Sequence, residues 1–302
     1  MALNISSAAI TLRWKEMYHA YQETNVFRPE MADYMTVALG EAHKLDTIGR
    51  RDAQFLDDAS TLTEETDSTT SVTLNLFDPL KDWADLKHSD LQVRPDLSLV
   101  RNKFIALGRN ISNTETRALL GIICTAAVGA GNERTFDDVT QLGLGDRVAQ
   151  QLRLLASDMD VFGVPWQNRW GMMRSDLWYS LKDVAGVTST DFGGMANVQF
   201  PMKILNYLNW QIVNVGTFWG TDFSDTLFTT WPTTARFDAQ NTCGAFWHAE
   251  AWAWRRVRSM EQIGPRQFRP NDTHNIEARI HWGAIARDTD GMHILSGGGT
   301  PV

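Results

Sequence analysis

The chain has 302 residues and a mass of 34.0 kDa, room for one large domain or two ordinary ones. Apolar residues at 43% suffice for a core, and a mean hydropathy of −0.28 argues for a soluble protein. A net charge of −8 argues against a surface built to grip nucleic acid, because phosphate contacts need an excess of Lys and Arg.

The apolar run at Leu119–Val128 is broken by Gly121 and Thr125 and is too short to span a bilayer. The opening MALNISSAAITLRWKE lacks a basic region followed by an apolar segment, so it does not read as a secretory signal. Cys124 and Cys243 lie far apart with no C-x-x-C, which suits a reducing compartment. Charge is uneven. Through Pro95 sixteen acids face nine bases, whereas from Trp247 to Arg287 seven arginines face four acids, a pattern that suits self-association. The chain carries 12 tryptophans, and about half are expected in the core, the rest at contact surfaces.

In chain order, residues 1–38 hold scattered aromatics (Trp14, Tyr18, Tyr21, Phe27, Tyr34) and read as an arm with one short helix over 7–22. VTLNLF at 72–77 alternates as a half-buried strand does, and DTIGRRDAQFLDD can supply its partner. Between them DDASTLTEETD is acidic and rich in turn formers, so 41–78 predicts a long hairpin that must lean on another surface. Pro95-Asp96 opens a helix in which Val100, Phe104, Leu107 and Ile111 share a face. A break at Ser112-x-x-Glu115 is the alternative, and one long helix to about Ala127 is favoured. A second helix is expected over 145–165, with Gly163 as its left-handed cap and Pro165 forbidding continuation. WGMM (170–173) reads as a buried strand, and Ser175 or Asp176 as the cap of a helix through Leu181. A helix over 198–208, a strand over 210–215 and a loop over 216–242 follow. CGAFWHAEAWAW (243–254) reads as one strand with a bulky face and a small face, and IEARIHWGAIARDTDGMHIL as two strands joined by an Asp290-Gly291 turn.

Little chemistry emerges. His248-x-Glu250 puts an imidazole and a carboxylate on one strand face, with His281 as a conceivable third ligand, but zinc needs three or four ligands and none other is near. GLGD (143–146) and GAG (129–131) complete no phosphate loop, G-x-S-x-G is absent, and Cys124 lies in an apolar helical stretch. The Arg255–Arg258 cluster lacks a nucleic-acid-binding motif around it. The chain reads as a non-enzyme without cofactor or metal.

The order of elements resembles the major capsid protein of tailed bacteriophages, an α+β chain of the Hong Kong 97-like fold. LVRNKFIALGRNISNTETRALLGII resembles that family's spine helix, and DRVAQQLRLLASDMDVFGVPWQNRWGMMRSDLWYSLKDV its axial-domain helix, exit, strand and next helix. DFGGMANVQFPMKILNYLNWQIVNV, GAFWHAEAWAW and ARIHWGAIARDTDGMHIL are similar to its later segments. The resemblance covers the chain from about residue 40 onward. It implies an N-terminal arm (1–40), an extended hairpin loop with its base strands (41–94), a peripheral domain with the spine helix (95–140), an axial domain (141–260) and returning peripheral strands (261–302).

The resemblance implies a subunit that self-assembles into the icosahedral virion shell around double-stranded DNA, within the host cytoplasm. Its partners would be identical copies in hexamers and pentamers, a portal, a separate scaffolding protein and possibly a decoration protein. The DNA would lie inside without sequence-specific binding, and no membrane is involved. N-terminal processing is not expected. An encapsulin-like compartment enclosing protein cargo is the alternative. The expected inter-subunit contacts are Trp14, Tyr18 and Phe27 of the arm, the ribbon acids Asp57, Asp58, Glu64, Glu65 and Asp67, and Leu74, Leu76 and Phe77 of the hairpin.

Overall fold

The computed structural model describes residues 7–38, 43–48, 69–74, 80–87, 97–136, 143–184, 204–215, 242–257, 260–269 and 273–297. The acidic ribbon at 57–67, Leu76, Phe77 and all of the loop expected over 216–242 except Thr242, which is strand, lie outside these residues.

Four α-helices are formed among the described residues: α1 (Ser7–Thr24), α2 (Leu97–Gly129), α3 (Leu144–Val161) and α4 (Ser175–Lys182). The strands are β1 (Asp33–Val37), β2 (His43–Ile48), β3 (Thr69–Leu74), β4 (Leu80–Lys87), β5 (Glu133–Phe136), β6 (Arg169–Met173), β7 (Ile204–Tyr207) and β8 (Trp210–Asn214). They continue with β9 (Thr242–His248), β10 (Trp252–Val257), β11 (Glu261–Arg269), β12 (Thr273–Ile280), β13 (Trp282–Ala286) and β14 (Met292–Gly297).

A six-stranded sheet, in the order β5-β14-β9-β6-β8-β7, divides two cores. β6 and β9 are buried along their whole length because both faces are covered. Trp170, Met172, Ala245 and Trp247 project into a core shared with α1 and α2. Met173, Cys243 and Phe246 project into the core of α3 and α4. The Phe246 ring fills the space beside Gly171, its partner on β6, where an added Cβ would come within 2.6 Å of it. Two three-stranded sheets, β1-β10-β13 and β11-β12-β4, flank α2, and β2 and β3 form a two-stranded ribbon base.

α2 is one unbroken helix through Ser112 and Glu115, both fully buried. α3 ends in a left-handed turn at Gly163 (φ 67°), with the Val164 N–H returning to the Met159 carbonyl at 2.9 Å. The buried Arg169 guanidinium secures that end, donating to the Pro165 and Val164 carbonyls (3.0 and 2.7 Å) and to Asp160 (2.6 Å).

Several expectations are corrected. Residues 204–207 are strand, not helix: with both sheet faces covered, Ile204, Leu205 and Tyr207 are all buried, and such a run mimics a helical stripe. Leu208 and Asn209 turn with positive φ (49° and 65°), closing a two-residue hairpin onto β8. The run 243–254 is two strands, broken by a 3-10 turn at Ala249–Ala251, so β9 joins the six-stranded sheet and β10 a different one. The tail holds three strands, each in a separate sheet, and β14 inserts between β5 and β9. α4 has no side-chain cap: Arg174 precedes it, and the Ser175 hydroxyl instead bonds Asn214 at 2.7 Å.

Candidate assembly surfaces

The arm is woven into its own subunit. Trp14, Met17 and Tyr21 fall on one face of α1 and are buried on α2. Trp14 meets Phe104 edge-on with centroids 4.8 Å apart. Gly108 permits the close crossing, because a Cβ there would collide with the Met17 carbonyl. Beyond α1, Phe27 sits among Trp247, Trp252 and Trp254, at centroid distances of 5.6, 5.4 and 6.5 Å. The Met31 carbonyl then accepts the indole N–H of both Trp247 (2.7 Å) and Trp252 (2.9 Å). β1 runs parallel to β10, and the Asp33 carboxylate accepts from Arg255 (3.2 Å) and Arg287 (2.8 Å).

Within this subunit the Trp14 and Phe27 rings are buried, because helical spacing turns the first inward and the tryptophan cluster encloses the second. Tyr18 is half-buried and stacks on Tyr21 at 6.2 Å. Leu74 is also buried internally, forming with Leu45, Ala253 and Ile285 the small cluster that seats the ribbon base on the β1-β10-β13 sheet. Among the described residues eight tryptophans are buried, more than half of the chain's 12, and Trp83 and Trp166 are largely exposed.

A polar joint lies at the C-terminal end of α1. The Tyr21 hydroxyl donates to Glu115 Oε2, and Asn25 Nδ2 donates both to that oxygen (3.2 Å) and to the Tyr21 hydroxyl (3.0 Å). The Arg256 guanidinium covers the Tyr21 ring at 4.8 Å and attracts Glu115 electrostatically. Burial pushes the Glu115 carboxyl above its ordinary value, against the opposing pull of Arg256, and also pushes the Tyr21 hydroxyl well up. Glu115 Oε1 has no hydrogen-bond partner among the described residues. Sequence reading missed this site, although a signal existed: Glu115 falls four residues after Ile111, on the apolar stripe of α2.

The His248–Glu250 pair is not a ligand pair. His248 Nδ1 accepts the Glu250 backbone N–H at 3.3 Å, capping the 3-10 turn, while burial lowers the imidazole's pKa. It lines an open polar cleft of about 670 Å3 between Pro29–Tyr34 of the arm and Val164–Asn168. Among the described residues, no cluster of His, Cys, Asp and Glu could hold a metal ion. Cys243 is buried with its thiol pushed up to about 11, and burial pushes Cys124 higher still, so neither is a nucleophile. No helix among the described residues is long and apolar enough to cross a membrane.

An arm docked on a long helix, a ribbon base on a separate sheet and a two-sided six-stranded sheet together define the Hong Kong 97-like α+β fold of tailed-phage major capsid proteins. Three solved structures make the likeness specific. The capsid structure of the cyanophage P-SCSP1u is similar with a TM-score of 0.66 at 16% identity, over 89% of this chain and 87% of that one. The mature capsid of bacteriophage PhiM1 is similar at 0.67 and 13% identity, over 92% and 88%. A virus-like particle from Pyrococcus furiosus is similar at 0.53 and 8% identity, over 94% and 98%. No family model and no curated protein sequence matches the chain.

Proposed function

We propose that this chain is the major capsid protein of a tailed bacteriophage, self-assembling in the host cytoplasm into an icosahedral shell that encloses double-stranded DNA, with no enzymatic step of its own. The observation that carries this reading is the near end-to-end likeness to two phage capsid structures, with about nine-tenths of each chain covered. Within it, residues 1–40 serve as the arm, 41–94 as the extended loop and its base, 95–140 as the peripheral spine, 141–260 as the axial domain and 261–302 as returning strands. Hexamers and pentamers of identical copies, a portal, a separate scaffolding protein and a possible decoration protein complete the particle.

Apolar burial would supply the cohesion between copies and charge the register, since exposed ion pairs each contribute only about 0–1 kcal/mol. The arm's internal seat shifts this task toward the ribbon, whose base meets the body through Leu45, Leu74, Ala253 and Ile285 among the described residues. Many modest contacts closed by symmetry then give a shell that is collectively stable and locally correctable.

Negative-stain microscopy and sedimentation of the expressed chain test the proposal: closed shells are expected, and a lone monomer at every concentration refutes it. Deleting residues 52–70 is expected to abolish closed shells. Likeness to the Pyrococcus furiosus particle keeps a cargo compartment in view. Nucleic acid inside particles purified from the native source supports the virion, and an enclosed protein supports the compartment.

A further inference from the structure

The polar joint concerns the lone subunit, and what it implies stands independently of the shell reading above. Glu115 Oε2 takes two donors, the Tyr21 hydroxyl and Asn25 Nδ2 (3.2 Å), while Asn25 Oδ1 accepts the Phe27 N–H at 3.0 Å. Asn25 thereby ties the carboxyl to the residue that enters the tryptophan cluster. Glu115 Oε1 is buried and meets no donor, and the Ser112 hydroxyl, one turn earlier on α2, is buried and makes no bond to it. The ionisable groups around the carboxyl come from each neighbouring element. α1 brings Tyr21 and Tyr18, β1 brings Tyr34, β10 brings Arg256, and α2 itself carries Arg117, whose pKa burial lowers. Elsewhere along α2 the flanking groups are engaged: Asp82 of β4 with Asn110 (3.1 Å), Asp85 of β4 with Asn275 (3.1 Å), His281 with Glu261 (3.7 Å) and His293 of β14 with the Asp290 carbonyl (3.1 Å). Among the described residues Arg256 is the one cation acting on Glu115, and its guanidinium lies over the Tyr21 ring at 4.8 Å instead of on the carboxylate.

A charge placed there is costly, because one oxygen of the carboxylate stays buried without a donor. We propose that seating of the arm is coupled to uptake of one proton by Glu115, making the joint a strap that tightens in mild acid and slackens as pH rises. With the arm seated, burial outweighs Arg256 and holds the Glu115 carboxyl above its ordinary value; with the arm off, water reaches the group and the ordinary value returns. Between the two values the seated state binds more protons. Its advantage is complete below the ordinary glutamate value, about 4.3, and is lost as pH rises through the seated one. Because Asn25 links the joint to Phe27, slackening loosens the cover over Trp247, Trp252 and Trp254, and pH sets how much apolar surface a lone subunit shows. His248, in the cleft beside Pro29–Tyr34, acts in the opposite sense because burial lowers it, so the informative quantity is the difference between the parent and a chain that cannot ionise at 115.

Hydrogen exchange of α1 amides in full-length, unassembled subunits tests the coupling, read as a ratio to α3 amides of the same chain. Glu115→Gln keeps an acceptor for Tyr21 and Asn25 but cannot ionise. Near pH 4.5 the two chains are expected to exchange alike, and near pH 8 the parent's α1 is expected to exchange at least about threefold faster than the variant's. Tyr21→Phe removes a hydrogen bond that favours the charged form, so it is expected to move the parent's rise in exchange to higher pH. A hydroxyl with a merely structural role would instead change the rate at every pH and leave the rise in place. A difference between parent and Glu115→Gln that is flat in pH overturns the proposal, as does one that α3 shares in full, which would make the effect global. If Glu115→Gln does not fold, parent and Tyr21→Phe decide: no rise in the parent, or a rise that the phenylalanine leaves unmoved, overturns it.

Discussion

The arm is fastened to the body at two joints of opposite character. At Phe27 and Met31 the contact is almost wholly apolar: four aromatic rings and one carbonyl that takes the indole N–H groups of Trp247 and Trp252. At Tyr21 and Glu115, earlier on the same arm, the contact is a sealed polar cluster with one carboxylate oxygen unpaired among the described residues. Apolar burial does not titrate, whereas a buried carboxylate converts proton activity into stability. One joint therefore holds the arm under all conditions and the other makes its hold conditional.

Breaking the apolar joint has the largest effect. Trp252 is fully buried, stacks near-parallel to Trp254 at 6.4 Å and donates to Met31. Trp252→Ala is expected to cost about 3–5 kcal/mol in urea unfolding of unassembled subunits, from lost burial, a cavity and a weakened carbonyl contact. The polar joint yields less. Glu115→Ala leaves the Tyr21 hydroxyl and the Asn25 amide without their acceptor and Arg256 without its opposing charge, an expected loss of about 2–3 kcal/mol. Glu115→Gln keeps an acceptor and is expected to lose under about 1 kcal/mol. Equal losses for Ala and Gln would mean that the joint is held by shape rather than by hydrogen bonds.

This division was only half legible in the sequence. Val100, Phe104, Leu107 and Ile111 announce α2 because one face is covered and the other is not, and Gly163 with Pro165 announces the end of α3. Where both faces are covered, periodicity carries no direction: 204–207 then reads as helix, and 243–254 reads as one strand although a turn sends its halves to different sheets. β1, β4 and β5 went unread because their partners are distant in sequence, β1 pairing with β10 across more than two hundred residues. The arm's aromatics were legible as apolar but not as internally buried, since the same ring can serve a core or a neighbour. The ribbon's acids were legible as charge, and Glu115 was hidden within a stripe of hydrophobic residues.

A pH series sharpens the contrast. Folded Glu115 holds its proton more tightly than the unfolded chain does, chiefly through burial. Between the ordinary glutamate value, about 4.3, and the raised folded value, the folded state therefore carries more protons, and this contribution to stability falls as pH rises. His248 and His293 act in the opposite sense: burial lowers both, so the unfolded chain protonates first and stability is lost as pH falls below about 6.5. Glu115→Gln removes the first contribution and leaves the second. The variant is expected to gain stability relative to the parent as pH rises from about 4 toward 7, in parallel urea titrations. Trp252→Ala is expected to shift the parent's curve down without changing its slope. A pH-independent difference between Glu115→Gln and the parent would remove the conditional character of the polar joint.

The smallest effect belongs to the exposed tie between α1 and α2. Glu16 accepts from Arg13 at 2.6 Å on its own helix and pairs with Arg101 of α2 at 3.2 Å, with the Arg101 side chain 55% exposed. A pair this open is screened by salt, and ordering the arginine opposes its Coulomb gain. Arg101→Ala is expected to cost no more than about 1 kcal/mol in low salt and nothing measurable near 0.5 M, where screening acts within a few ångströms. A larger or salt-insensitive loss would show the Arg101 stem packing on α1, making this third contact a minor version of the apolar joint. A small, salt-sensitive loss would leave the arm's hold to the tryptophans and to Glu115, with the surface charges free to choose neighbours.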